Sequence, residues 1–131
     1  MMELQEWTEE EIWKVYNRLL KWGCDIPAAR ERFLEDDELY LKCLVRFRES
    51  PAYGKLKKYI ALGDYTSAYE IAHLMKGTSA TLEIIPVLER IVVPLSYLEK
   101  GKKPPEEAVE ELYRSYEKFQ ELVPPIDIEE I

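Results

Sequence analysis

The sequence has little of what most catalytic sites are built from. It holds one histidine, two cysteines and five glycines in 131 residues. A single histidine with Cys24 and Cys43, which lack ligand spacing, does not complete a Cys/His zinc site. The thiols read as free, in a reducing compartment, with Cys43 expected to be buried on a helix. There is no Gly-rich phosphate loop, no Gly-x-Ser-x-Gly and no His-Glu-x-x-His, so neither ATP-using nor hydrolytic chemistry is visible. Positive charge is also short: the formal net charge is −8, which argues against a nucleic-acid partner, whose binding depends on neutralising phosphates. The basic run Lys55-Leu56-Lys57-Lys58 is brief and sits on a helical pattern, as a solvated helix face does. No apolar run is long enough to span a membrane. The start, MMELQEWTEEE, is acidic and lacks a continuous apolar stretch, so no signal peptide and a cytoplasmic address are expected. No segment alternates with period two, so no sheet is expected.

What is present is helical periodicity in a chain long enough to bury a core as one domain. Thr8 and Glu11 form a capping box, and Trp7 can staple onto Ile12. Ile12, Val15, Tyr16, Leu19 and Leu20 give the first apolar face, and Gly23 stops it. Trp7, Trp13 and Trp22 belong to this segment, either docking it on the rest of the chain or forming a partner surface. Asp25 caps a short helix with Pro27 in its first turn. From Asp36-Asp37 the stripe Leu39, Tyr40, Cys43, Leu44 and Phe47 begins a longer helix, which Pro51 must kink or break. It resumes with Leu56, Tyr59 and Ile60 and stops at Gly63. Ile85, preceding Pro86, is expected outside helical geometry, with Pro86 opening a helix that Pro94 bends. Pro105 starts the last helix, and Pro124-Pro125 ends it. The spacing predicts four substantial helices, 37–62, 64–83, 86–100 and 105–123, in an all-α antiparallel four-helix bundle. Residues 1–24 form an N-terminal helical extension, 25–123 the bundle, and 124–131 a loose tail.

The stretch Tyr65–Glu83, YTSAYEIAHLMKGTSATLE, carries the one histidine. Ala68, Ile71, Ala72, Met75, Ser79 and Leu82 keep the spacing of a single buried stripe. At 100° per residue His73 lies ~160° from the middle of that stripe and points outward. Lys76, Gly77 and Ala80 share its face. A lone histidine there is ordinarily a solvated residue. Gly77 argues for more, because a glycine inside a helix costs about 1 kcal/mol relative to alanine. Close approach of another molecule is one reason to want a missing side chain.

These residues resemble the histidine-containing phosphotransfer (HPt) domains of phosphorelays. The family pattern is Ala-His-x-x-Lys-Gly, then small residues, then an aliphatic residue nine places after the histidine. Here it reads Ala72-His73-Leu74-Met75-Lys76-Gly77-Thr78-Ser79-Ala80-Thr81-Leu82. Upstream, Ala61-Leu62-Gly63-Asp64 and Phe33-Leu34-Glu35-Asp36-Asp37-Glu38-Leu39-Tyr40 extend the likeness, which covers about Asp25 to Phe119. The chain departs from the family at Glu83, where glycine is usual, and at Pro86 and Pro94. The resemblance implies a phosphocarrier, not an autonomous kinase. His73 would accept a phosphoryl group from an aspartyl phosphate and pass it on, with Lys76 steadying the phosphoryl oxygens. Gly77, Ala80, Tyr69 and Glu70 would form the face on which a receiver docks. The implied partners are response-regulator receiver domains and a hybrid histidine kinase. No cofactor is expected in this chain, with Mg²⁺ in the partner, and a monomer is the expected state. An adaptor that binds receivers or kinases without transferring phosphate is the alternative. A third reading places the function in the tryptophan-bearing segment.

Overall fold

A computed structural model of the protein describes residues 7–123; the expected tail, 124–131, lies outside the described residues. Among these the chain is all-helical. The helices are α1 (Glu9–Trp22), α2 (Ile26–Arg32), α3 (Asp37–Arg48), α4 (Ala52–Leu62), α5 (Tyr65–Thr81), α6 (Ile85–Glu99) and α7 (Glu106–Leu122). Helices α4 to α7 each pack on the next, while α1 lies against α2 and α7. No helix among the described residues is long and apolar enough to cross a membrane.

Local chemistry explains the boundaries. Thr8 and Glu11 make the expected capping box on α1, and Asp25, Asp36 and Asp64 each accept a backbone N–H at the start of α2, α3 and α5. Pro51 breaks the expected 37–62 helix instead of bending it. A proline at 51 has no N–H for the Phe47 carbonyl, and the Tyr116 hydroxyl donates to that carbonyl in its place. The next carbonyl, of Arg48, accepts from Gln120 Nε2 at 3.2 Å, while Arg48 Nε donates to the carbonyls of Gln120 and Val123 at the end of α7. The break is therefore stitched to the last helix. By contrast α6 runs through Pro94 to Glu99. It begins at Ile85, one residue before the proline, since the Ile84 carbonyl already accepts from Leu88. Pro105 caps α7 rather than entering it.

The core is one cluster, and α1 contributes Val15, Tyr16 and Leu19 to it. Trp7 and Trp22 pack against it, as the docking reading expects, while Trp13 is exposed, edge-on to Tyr16 of its own helix at 5.3 Å with Arg30 of α2 over its ring. Three positions expected in apolar stripes differ. Leu20 and Leu39 are about half exposed, and Cys43 is only half-buried; the fully buried thiol is Cys24. On α3 the buried set is Tyr40, Leu41, Leu44, Val45 and Phe47. The helix is thus turned so that Leu39 faces outward and Cys43 falls at the margin, on a groove shared with α5.

Candidate functional site

Helix α5 is fixed firmly at both ends. Gly63 closes α4 at φ 74°, in the left-handed region where glycine is cheapest, and Asp64 then caps α5. Hydrogen bonds from Ser67 hold the Asp64 carboxyl below its usual range. At the far end the Ile84 amide bonds to the Ser79 carbonyl and the Glu83 amide to that of Ala80. These two bonds make a Schellman closure, with Glu83 at φ 59° in the left-handed position. Position 83, where the resemblance leads one to expect glycine, thus takes a positive φ, and a glutamate fills it. Arg32 compensates: its guanidinium donates to the carbonyls of Ala80 and Thr81, each at 2.8 Å, and pairs with the Glu83 carboxylate at 2.9 Å. The Tyr40 hydroxyl donates to the Leu82 carbonyl at 2.8 Å.

So anchored, α5 buries Ala68, Ala72, Met75 and Ser79, close to the predicted stripe; Leu82 is buried at its end and Ile71 half-buried. His73, Lys76, Gly77 and Glu70 are exposed, and Tyr69 and Ala80 half-buried. The Tyr69 and His73 rings lie 5.8 Å apart, tilted by 40°. A Cβ added to Gly77 would meet no atom within 4 Å. Packing among the described residues therefore does not require glycine at 77.

His73 opens onto a groove of about 610 Å³ between α3 and α5. From α5 it is lined by His73, Leu74, Gly77, Thr78 and Thr81; from α3 and its end by Cys43, Arg46, Phe47 and Ser50; Phe33 and Leu82 complete it. Lys76, Ala80, Tyr69 and Glu70 do not line it. The predicted site residues therefore divide: His73 and Gly77 face the groove, and the others flank His73 along α5. None of the three tryptophans, and no other described residue of the N-terminal segment, lines the groove. No cluster of metal-binding side chains occurs among the described residues.

Chemically, the arrangement offers an exposed imidazole on a pinned helix, with an apolar trough on one side and cations on both. A neutral imidazole in such a place is a nucleophile. Arg46, Ser50, Cys43 and Leu74 did not emerge from the sequence. The first three lie more than twenty positions before His73, and no local spacing connects them to it. Leu74 follows the histidine directly, but its role depends on where α3 lies. No family model, curated protein or solved structure matches the chain.

Proposed function

We propose that the protein is a histidine phosphotransfer protein, a phosphorelay intermediate of HPt type. In this reading α3 and α4 form one broken member of an antiparallel four-helix bundle, with α5, α6 and α7 as the others. The observation that carries it is His73, projecting from a helix capped at both ends, beside an open groove and a glycine that no intramolecular contact explains.

The reaction needs only a nucleophile from this chain. A receiver domain presents an aspartyl phosphate. The unprotonated ring nitrogen of His73 attacks phosphorus, the N–P bond forms as the O–P bond breaks, and the aspartate leaves as a carboxylate. A second receiver reverses the step. Mg²⁺ held by the receiver would supply charge neutralisation for the phosphoryl oxygens. Lys76 adds a cation on the flank of α5. Gly77, with Ala80, Tyr69 and Glu70, forms the docking face, and the bare backbone lets the partner approach closely.

The test is to mix the protein with phosphorylated receiver domains and to follow acid-labile, alkali-stable phosphate. Label is expected on the wild type and absent from His73→Gln. Receiver binding that survives His73→Ala, with no transfer from any receiver, would favour the adaptor reading instead.

A further inference from the structure

The groove beside His73 holds a cation that α5 does not supply. Four arginines lie on α2 and α3. Arg30 is engaged with Asp37 and Glu35, Arg32 with the end of α5, and Arg48 with Glu49 and the end of α7. Arg46 alone among them makes no ion pair or side-chain hydrogen bond with a described residue, and it is exposed where it lines the groove.

The hydroxyls nearby divide in the same way. Thr78 spends its proton on the Leu74 carbonyl. Ser50 accepts from the Ala52 amide at 3.1 Å, which leaves its own proton to donate into the groove. Phe33, Phe47 and Leu82 supply apolar walls, and a charge-assisted hydrogen bond strengthens as water is displaced from such surroundings. A guanidinium presents two parallel donors to two oxygens of one phosphoryl group, which an ammonium does not.

We propose that this groove is an oxyanion pocket for the phosphoryl group carried on His73, with Arg46 as its principal ligand and Ser50 as a second donor. The proposal rests on the phosphotransfer reading and moves the main phosphoryl contact from Lys76, on the flank, to a residue of α3.

Phosphoramidate, a small donor that needs no partner protein, tests the pocket in the full chain. The lone pair of the neutral imidazole forms the new N–P bond. The N–P bond of phosphoramidate breaks with its electron pair going to ammonia, which takes up the imidazole N–H proton. Intact mass and phosphorus NMR read the rate, with a histidine-containing unstructured peptide as reference. The wild type is expected to label faster than the peptide. Arg46→Gln should slow labelling about tenfold, the loss expected for one charge-assisted hydrogen bond. Arg46→Lys should recover part of the rate, and Lys76→Gln should slow labelling less than Arg46→Gln does. Circular dichroism checks that each variant is folded. Labelling of Arg46→Gln at the wild-type rate, or a wild type no faster than the peptide, overturns the pocket. Arg46-dependent labelling of His73 without exchange with any phosphorylated receiver supports the pocket and overturns the relay reading.

Discussion

Gly77 is where stability and the proposed function pull apart most clearly. Its helical backbone costs about 1 kcal/mol against alanine, and an added Cβ would sit in open space. Gly77→Ala should therefore stabilise the fold by about 0.5–1 kcal/mol, read from urea unfolding, while slowing transfer from a phosphorylated receiver. Destabilisation would mean that the glycine serves the chain's own packing after all. The thiols carry a similar lesson. Periodicity put Cys43 inside, but the tilt of α3 leaves it on the groove wall, and burial instead pushes the Cys24 thiol up to about 12. Outward placement of His73 was legible, because a single helix with a well-marked buried stripe fixes its own opposite face. Arg46 was not, because which side of α3 meets α5 is a matter of helix packing.

At the scale of elements, the end of α5 shows how a non-glycine residue at a left-handed position is held by another helix. A non-glycine residue in left-handed geometry costs roughly 1–2 kcal/mol. Glu83 offsets part of this through Arg32, whose guanidinium also satisfies two terminal carbonyls of α5. Glu83→Ala keeps the unfavourable φ and removes the ion pair, whereas Glu83→Gly relieves it. The glycine variant should be more stable than the alanine variant by about 1 kcal/mol. Equal denaturation midpoints would show that the backbone at 83 carries no strain. The spacing carries this helix to 83, and the observed α5 closes two residues earlier, at Thr81. The dependence of that stop on α2 was not legible, since Arg32 and Glu83 meet only once the helices are packed. Pro51 and Pro94 make the same point in pairs. Each removes one N–H from a helical pattern, yet the chain breaks only at Pro51, where Tyr116 and Gln120 take up carbonyls of the interrupted turn.

For the whole molecule, tyrosine ionisation ties the fold to pH. Burial raises Tyr16, Tyr40, Tyr53, Tyr113 and Tyr116, with Tyr113 and Tyr116 pushed up to about 12. The unfolded chain ionises its tyrosines near pH 10 and so holds fewer protons than the folded chain above that value. The tyrosine contribution to stability is then fully present below about pH 10 and is lost as pH rises toward the folded values. Burial of Cys24 acts in the same direction from about pH 8.5, where a free thiol ionises, so urea midpoints should begin to fall there and fall faster beyond about 10, with a shallower fall in Tyr113→Phe. A midpoint that stays level into strong alkali would contradict this. The all-helical class, the cap residues and the outward histidine followed from the sequence because each depends on residues within a turn or two of one another. Tertiary structure alone decided the groove, the engagement of three arginines and the place of the fourth on its wall, and the depth of each thiol, because these depend on which faces of distant helices meet.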